Sequence, residues 1–563
     1  MSLFEEKLSR RVFVTGAAAV AAGPMLVRPE GGYAQSRLPL PADVFQLGVA
    51  SGDPLPDGVV LWTRLAPAPT TGGGMPNEPV PVEWEIAEDE RFRRRRHRGV
   101  TTAHARLGHS VHVDVRGLRA DTVYYYRFRA GTQVSPVGRT RTAPGAHSRP
   151  RNLRFAFASC QDYQAGFYTA YQHLAAEDLA FVAFLGDYIY EGPRNVNAAR
   201  QHEGTGEPLT LEQYRNRHAR YKTDPDLQAA HAAFPWIVTF DDHEIDNNWA
   251  DEIPQDPAQQ TPEAFRSRRI AAFQAYYEHM PLRRSSLPSG LDMQVYRRLR
   301  FGSLASVHVL DTRQYRSDQP ATPAAAQDPA LTMTGPEQEK WLVDGLEGSG
   351  SRWNLLANQV MWAQNDRKAG PEQTFDFDNW DGYRVQRRRL LEHFGSGRVT
   401  NPVVLTGDRH CTWVCDLRTD FDDPSTPVVG AELTGTSITS GGNPDVAGFH
   451  ATYDPIMAES PHWRYIDNQR GYLVCDVTSE RMHISLRLVD TIWAPTATVR
   501  TAAEFVVEAG RPGIASVTAE PTPMTGLNRP LGPIFDVHDD QNAFPIRPTH
   551  AALPGRPSSG KLG

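Results

Sequence analysis

The chain has 563 residues and a formal net charge of −7, and only four of its residues are cysteines. This length exceeds what one hydrophobic core accommodates, so two or more domains are expected. The acidic balance gives no reason to propose a nucleic-acid partner, and the low cysteine count excludes a disulfide scaffold, with one disulfide left open among Cys411, Cys415 and Cys475.

The first predicted element is an export signal in residues 1–34. Arg10 and Arg11 precede an apolar, alanine-rich stretch at 14–27, and a small-residue cleavage site follows at 32–34. The arginine pair and the modest hydrophobicity favour a twin-arginine signal over an ordinary Sec signal or an uncleaved anchor. We therefore expect export through the twin-arginine machinery to the periplasm or the extracellular space. No other stretch is long and apolar enough to predict a stable membrane span.

Short β-like segments between residues 40 and 145 predict an N-terminal all-β domain. Clusters of Gly, Pro and Asp separate the expected strands, which lie at 59–63, 82–86, 110–115 and 123–128. Short strands at this spacing are typical of a β-sandwich of fibronectin or immunoglobulin type. A linker is predicted around residues 144–150.

Residues 150–510 predict a layered α/β catalytic domain, because apolar runs alternate with helical segments. The runs are at 153–157, 179–185, 236–240, 305–310, 353–357 and 403–405. Near-continuous apolar runs of this length suit strands that are buried on both faces. Strands return from 464 to 507, and residues 511–563, which are rich in Pro and Gly, predict a loop-like or partly disordered tail.

Side chains suited to metal binding follow most of these predicted strands. They are Cys160, Asp187, Tyr190, Asp242, His243, Asn358, Asp408 and His410. Because ligands bind outside the carboxyl ends of the strands in open α/β sheets, we expect these groups to converge at one sheet edge. Each alone has an ordinary interpretation as core, turn or helix cap, but the ordered set predicts a metal site.

The donor types indicate two kinds of metal ion. A phenolate from Tyr190 and a thiolate from Cys160 suit ferric iron better than magnesium or calcium. Asp187 has two oxygens that can bridge two cations, and Asp408 offers oxygen to a second, harder cation. Two cations a few ångströms apart can clamp a phosphate and activate water.

The candidate catalytic residues are Asp242 and His243. His243 follows Asp242, so the carboxylate can bind metal while the imidazole donates a proton to a leaving group or steadies developing charge. Arg313 is expected either to hold a phosphate or to pair with Asp311. Two features are given ordinary structural interpretations, namely His218, expected on a helix surface, and the glycine-rich loop at 435–437 and 441–442.

These motifs resemble those of the PhoD-type alkaline phosphatases and phosphodiesterases, which include iron-dependent phospholipase D enzymes. That family belongs to the calcineurin-like, purple-acid-phosphatase-like metallophosphoesterases. The resemblance extends from Phe45 to about residue 508 and includes the export signal. Its most specific segments are 157–161, 185–191, 241–249, 310–315 and 407–410.

The resemblance implies a four-layer α/β sandwich with two central sheets. It also implies a ferric ion held by Cys160, Asp187, Tyr190 and His410, and one or two calcium ions near Asp187, Asp242 and Asp408. The superfamily's usual histidine after the next strand is not evident, so Asn358 or Gln359 is the candidate to replace it. Asn247 and Asn248 are further oxygen-ligand candidates.

The function expected from these features is hydrolysis of phosphoric esters. Phosphomonoesters and phosphodiesters both fit, including teichoic-acid-like polymers and phospholipids. The first alternative is a secreted iron-dependent phospholipase D, which should prefer substrate at an interface. A non-catalytic adhesin or binding module is the second alternative, and it requires a degraded metal site.

Overall fold

The structure, a computed structural model, describes residues 39–441 and 445–520. The predicted export signal, Gly442 of the glycine-rich loop and residues 521–563 of the predicted tail lie outside the described residues. The helices, in chain order, are α1 (Thr169–Ala175), α2 (Leu211–Lys222), α3 (Pro225–Ala233), α4 (Pro262–His279), α5 (Gly335–Glu347), α6 (Arg384–Gly395) and α7 (Val446–Glu459).

The strands are numbered in the same way. They are β1 (Val49–Leu55), β2 (Gly58–Arg64), β3 (Val80–Ala87), β4 (His97–Ala103), β5 (Ser110–Arg116), β6 (Val123–Ala130), β7 (Gln133–Val134), β8 (Gly138–Arg141), β9 (Asn152–Ala158), β10 (Phe181–Phe184), β11 (Pro235–Val238), β12 (Arg297–Phe301), β13 (Ala305–Val309), β14 (Trp353–Ala357), β15 (Pro402–Thr406), β16 (Thr412–Arg418), β17 (Val428–Thr434), β18 (Trp463–Asp467), β19 (Gly471–Thr478), β20 (Arg481–Val489), β21 (Val499–Glu508) and β22 (Arg511–Ala519).

Two large sheets face each other across a shared apolar core. The ten-stranded sheet has the order β22-β21-β20-β19-β9-β10-β11-β1-β2-β5, and the seven-stranded sheet has the order β12-β13-β14-β15-β17-β16-β18. Phe155 and Phe181 from the first sheet pack with Leu355 and Leu405 from the second. Helices α1 to α4 contribute to the core on the outer face of the ten-stranded sheet, and α5 to α7 contribute to the core outside the seven-stranded sheet.

The six apolar runs predicted as buried strands all form strands, which confirms that part of the sequence analysis. Strands β9, β10 and β11 are parallel to one another, as are β13, β14, β15 and β17. Each central strand is covered on both faces, which explains why its sequence is apolar without alternation. Helix α4 begins at a conventional cap: Thr261 accepts from the Ala264 N–H, and Pro262 opens the first turn.

The predicted N-terminal sandwich is not separate from the catalytic fold. Strands β1, β2 and β5 belong to the ten-stranded sheet, because β1 pairs in parallel with β11. The other strands of this region, β3, β4, β6, β7 and β8, form a smaller sheet. Its Val82 and Tyr126 share a core with Val59 and Val113 of the larger sheet. The sequence pattern predicted β2, β3, β5 and β6 but not β1, which pairs with a strand 184 positions away, as in Ser51 and Pro235.

The tail prediction is wrong for its first residues. Residues 511–519 form β22, which pairs antiparallel with β21 at the edge of the ten-stranded sheet. Ile514 is buried in the core between the two large sheets, and its N–H donates to Asp416 Oδ1 at 2.7 Å. Pairing with β21 and the burial of Ile514 together hold in a strand a segment whose Pro and Gly content predicted a loop.

All four cysteines are buried and free, so the disulfide left open by the sequence does not form. Among the described residues, no helix combines the length and apolarity needed to cross a membrane.

Helix α2 buries the side chains of Lys222 and His218 against its neighbours. Lys222 Nζ lies 3.3 Å from His231 Nε2 and 4.5 Å from the centre of the Trp62 ring. His218, predicted on a helix surface, is instead fully buried, and its ring stacks 5.0 Å from that of His279 because α2 packs on α4. Burial lowers the pKa of Lys222 to about 7.

Lys222→Met is expected to change how stability depends on pH. The folded protein holds Lys222 neutral above about pH 7, whereas an unfolded lysine stays protonated to about pH 10. The wild-type free energy of unfolding should therefore rise relative to Lys222→Met between these pH values, by on the order of 4 kcal/mol. Denaturant unfolding at pH 7 and pH 10 measures this difference. Lys340→Met, at an exposed position on α5, should show no such difference, and parallel curves for all three proteins would contradict the prediction.

Candidate metal centre

The predicted ligands come from loops at the carboxyl ends of strands in two sheets, not at the edge of one. Cys160 follows β9, Asp187 follows β10 and Asp242 follows β11, all in the ten-stranded sheet. Asp408 and His410 follow β15 of the seven-stranded sheet. The two sheets meet here through a parallel bridge between Ser159 and Ser437 and a 3.0 Å hydrogen bond from Thr239 Oγ1 to the Leu310 carbonyl. The centre therefore lies at the junction of the two sheets.

Two glycines allow these loops to approach. A Cβ on Gly186 would lie 2.4 Å from the Asp241 Cβ, and one on Gly407 would lie 2.8 Å from the Ser159 Cβ. Neither distance is compatible with a side chain. Gly186 also has φ of 114°, which favours glycine. The Gly that precedes each of Asp187 and Asp408 is thus required by the close packing of neighbouring loops.

Strained backbone is concentrated at the site. Positive φ angles occur at Cys160 (58°), Asp187 (57°), Asn248 (52°), Asp408 (64°) and His410 (57°). Non-glycine residues adopt this region infrequently, at a cost of about 1–3 kcal/mol each, and such residues cluster at functional sites. The surrounding structure therefore holds the backbone of this region in conformations that are unfavourable for these residues by themselves.

One group of donors combines sulfur, phenol, imidazole and carboxylate. Cys160 Sγ and Tyr190 OH lie 3.3 Å and 3.2 Å from the same oxygen, Oδ2 of Asp187. The Tyr190 hydroxyl is also 3.0 Å from His410 Nε2. Donor atoms of Cys160, Asp187 and His410 lie within 4.8 Å of one another. The structure thus brings together the four residues that the resemblance implied as iron ligands.

A second group consists mainly of carboxylates. Donor atoms of Asp241, Asp242 and Asp408 lie within 4.8 Å of one another, and so do those of Asp187, Asp242 and His243. Asp187 Oδ1, Asp241 Oδ2 and Asp242 Oδ1 are buried and accept no hydrogen bond. Buried carboxylate oxygens without donors are unfavourable unless a cation neutralises them. Sequence analysis did not single out Asp241 as a ligand, although its place beside Asp242 after β11 was a usable signal.

The titration behaviour of the site fits a bound cation. Burial and the nearby Asp187 raise the pKa of the Cys160 thiol and of the Tyr190 phenol well above their usual values. Burial, together with Asp242 and Asp241, also raises the pKa of Asp187, despite the opposing effect of His243. A cation at this position reverses these effects because it stabilises thiolate, phenolate and carboxylate together. The residues present therefore fit a metal centre.

His243 and Glu191 form a buried pair beside the carboxylates. His243 Nδ1 lies 2.7 Å from Glu191 Oε2, and both side chains are almost fully buried. Burial opposes charge on both groups, but their mutual attraction prevails: it lowers the pKa of Glu191 to about 2 and, with Asp242 and Asp187, raises the pKa of His243 well above its usual value. Sequence analysis did not identify Glu191 as part of the site.

Glu244 joins two of the ligand loops. Its carboxylate accepts N–H groups from Asp187 at 3.1 Å, Tyr188 at 2.6 Å and Asp241 at 2.9 Å. A carboxylate that accepts three backbone donors fixes the loops after β10 and β11 relative to each other. The Asp-Asp-His-Glu segment therefore contributes ligands and the side chain that holds the neighbouring ligand loop.

Arg313 neither pairs with the Asp311 side chain through its guanidinium nor lies open to a phosphate. The guanidinium donates to Asp241 Oδ1 at 2.5 Å and to Asp378 Oδ1 at 3.0 Å, and it lies 3.5 Å from Asp242 Oδ1. From Arg313, the Asp311 side chain accepts only the backbone N–H, and its other donors come from Gln314. The carboxylates outnumber this single cation, so Arg313 balances part of their charge and orients the second donor group.

Arg313→Met is expected to lower the free energy of unfolding by about 3–5 kcal/mol, because Asp241 would remain buried without the guanidinium that pairs with it. Denaturant titration of the purified variant measures the loss. Arg389→Met is the matched control, since Arg389 is exposed and pairs with Glu339 at the surface, where an ion pair contributes up to about 1 kcal/mol. Equal losses in both variants would contradict the role assigned to Arg313.

The two asparagine candidates, Asn248 and Asn358, differ in whether they contact a ligand candidate. The Asn248 N–H donates to Asp242 Oδ2 at 2.7 Å, so this residue touches the donor group through its backbone. The Asn358 amide donates to the Val360 carbonyl at 2.5 Å and to Thr406 Oγ1 at 3.2 Å. Among the described residues, Asn358 thus forms no hydrogen bond with a ligand candidate, and its observed contacts are structural.

The loop after β17 approaches the centre, contrary to its assignment as an ordinary loop. Ser440 Oγ donates to the Tyr190 hydroxyl at 2.7 Å, and the Ser440 N–H donates to the Cys160 carbonyl at 3.2 Å. This loop follows a parallel strand of the seven-stranded sheet, as the Asp408 loop does. Its strand was not predicted from the sequence, so its position could not be inferred.

Comparison with known proteins agrees with this geometry. Residues 155–486 match the PhoD-like phosphatase family model, and residues 32–144 match the model for the N-terminal domain of PhoD-like phosphatases. Alkaline phosphatase D of Bacillus subtilis (strain 168) is 46% identical over 525 residues, which cover 91% of this chain and 89% of that protein. A solved structure of PhoD is 47% identical with a TM-score of 0.80, covering 84% of this chain and 92% of that one.

These similarities exclude the non-catalytic binding module considered above, because they extend over both the sheets and the loops that carry the candidate ligands. The chain belongs to the PhoD-like phosphatase family and is a metal-dependent phosphoric ester hydrolase.

Proposed function

We propose that the mixed donor group of Cys160, Asp187, Tyr190 and His410 holds ferric iron. The observation that supports this is one buried set of thiol, phenol, imidazole and carboxylate donors, a combination that suits iron better than calcium or magnesium. The neighbouring carboxylates Asp187, Asp242 and Asp408, together with Asp241, would hold one or two calcium ions, which prefer oxygen ligands.

Such cations polarise a phosphoryl oxygen and lower the pKa of water. Around them, Arg313 and Glu244 keep the carboxylates in place, and His243 donates a proton to the leaving oxygen of the ester. Phosphomonoesters and phosphodiesters, including polymeric ones, are the proposed substrates.

The arrangement of helices outside two facing sheets supports a four-layer α/β sandwich, with the smaller sheet completing an immunoglobulin-like region.

Metal analysis combined with a substrate panel tests this proposal. The panel compares p-nitrophenyl phosphate, bis-p-nitrophenyl phosphate and micellar phosphatidylcholine, and the protein is analysed for iron and calcium. Iron and calcium together, with turnover of the soluble esters, are expected. Activity confined to micellar lipid would favour the phospholipase D alternative, and full activity without iron would contradict the iron assignment.

We also propose export by the twin-arginine route. The support is the sequence at Arg10 and Arg11 and the buried donor set, which suits a protein that folds around its metals before transport. Replacing both arginines by lysine should retain the protein inside the cell, as measured by fractionation. Unchanged export of the doubly substituted chain would contradict this route.

A further inference from the structure

Glu191 contacts His243 at Nδ1, the ring nitrogen that does not donate the proton in the proposed function. The Glu191 Oε2 to His243 Nδ1 distance is 2.7 Å, and the two side chains are 4% and 3% exposed. A hydrogen bond this short between buried groups fixes both the position and the tilt of the imidazole. Because Nδ1 is engaged, only Nε2 can serve a substrate oxygen.

The second oxygen of Glu191 fixes the carboxylate itself. Oε1 accepts the Asn247 N–H at 2.8 Å, so the side chain links the segment after β10 to the loop after β11. Neither oxygen of Glu191 lies in the groups of candidate metal ligands. This carboxylate therefore supports the site without belonging to either donor group.

A neighbouring aromatic ring restricts the rotation of the imidazole from another direction. The Tyr190 ring lies against the His243 ring, with centres 4.2 Å apart and planes inclined by 30°. Residues 190 and 191 thus act on the same histidine, one through its ring face and one through Nδ1. Little rotation about the histidine side chain is compatible with both contacts.

The loop that carries His243 is held from the outside by α4. Arg268 on α4 pairs with Asp246 at 3.0 Å and with Glu207 at 2.9 Å. Its Nε donates to the hydroxyl of Tyr214, which in turn donates to the Ile245 carbonyl. These contacts hold the backbone of the loop, whereas Glu191 contacts the histidine ring directly.

We infer that Glu191 is a positioning residue for ester hydrolysis, and that it orients His243 for proton donation to the leaving oxygen. This inference rests on the proposed role of His243. In the step, the Nε2–H proton moves to the leaving oxygen while the P–O bond breaks, and the neutral ring keeps its remaining proton on Nδ1, directed at Glu191. An anionic acceptor at Nδ1 selects this tautomer and stabilises the protonated ring before transfer.

Glu191→Gln separates orientation from metal binding. The glutamine oxygen can keep the Asn247 N–H, which turns the amide NH₂ toward Nδ1 and favours the wrong tautomer. We expect kcat for phenyl phosphate, whose leaving group needs a proton, to fall by about 10²-fold or more, and kcat for 2,4-dinitrophenyl phosphate to fall by less than about 10-fold. KM and metal content should stay unchanged. Glu339→Gln, which replaces a carboxylate that pairs with Arg389 outside the seven-stranded sheet, is the control.

Parallel measurements on His243→Ala distinguish the inferred role of Glu191 from the proposed role of His243. A leaving-group-dependent loss in both His243→Ala and Glu191→Gln supports the inference. The same loss in His243→Ala alone overturns the inference and leaves the proposed role of His243 intact, whereas no loss in His243→Ala overturns both. Equal losses with the two esters in Glu191→Gln, or loss of metal, would make Glu191 merely structural. If Glu191→Gln does not fold, Glu191→Asp replaces it, because the shorter side chain withdraws the carboxylate from Nδ1. A larger loss with phenyl phosphate than with 2,4-dinitrophenyl phosphate then supports the inference, and equal losses overturn it.

Discussion

Cys160→Ala is expected to remove iron from the centre and to abolish visible absorption from thiolate or phenolate bonded to iron. The thiol lies 3.3 Å from the Asp187 carboxylate, and it is the sulfur donor in the candidate ligand group. Activity should fall by more than about 100-fold, which exceeds the effect of losing a residue that only supports a ligand. Metal analysis, the visible spectrum and turnover of p-nitrophenyl phosphate measure the three consequences.

The matched control for this variant is Cys475→Ala. Cys475 is equally buried but lies in the core between the two large sheets. Its replacement should lower stability while leaving iron content and colour intact, because it removes packing rather than a metal ligand. Cys160→Ala with wild-type iron and activity would show that the sulfur is not a ligand.

His243→Ala is expected to lower kcat by about 10²–10⁴-fold, the range for removing a group that transfers a proton. Its metal content should remain close to that of the wild type, because in the proposed function the mixed donor group and the aspartates hold the cations. His483→Ala, at a partly exposed position on β20, should leave both quantities unchanged. Steady-state kinetics and metal analysis on the same protein samples provide the comparison.

A loss of metal from His243→Ala would give the imidazole a different role. A donor atom of His243 lies within 4.8 Å of donor atoms of Asp187 and Asp242. If His243→Ala loses metal and activity in the same proportion, the imidazole is a ligand of the second metal. In that case Glu191 would hold a ligand in place, and the loss in Glu191→Gln would not depend on the leaving group.

The ligand loops were predictable because each follows a short, continuous apolar strand. Runs such as 153–157 and 403–405 identify parallel strands, and parallel strands place their carboxyl ends together. The same argument could not show that Cys160 and His410 belong to different sheets, because an apolar strand does not encode its partners. The pairing of β1 with β11 was not predicted because β1, with Ser, Gly, Asp and Pro between its apolar residues, was not identified as a strand.

The supporting residues were less predictable than the ligands. Glu191, Glu244 and Arg313 act through contacts with residues on other loops, at separations that no local pattern reveals. Charged residues in loops are ordinarily solvated, so their burial is visible only in three dimensions. Ser440 was missed for a related reason, since it acts through a strand whose sequence was not identified as one.

The position of the centre between two sheets has a consequence for its assembly. Cys160 and His410 are separated by about 250 positions, and the loop that supports Tyr190 ends near residue 440. A nascent chain that ends before His410 carries only part of the ligand set, so the first half of the chain cannot form the mixed donor group by itself. Completion of the donor set is therefore a late step of biosynthesis, which follows the docking of both halves of the molecule.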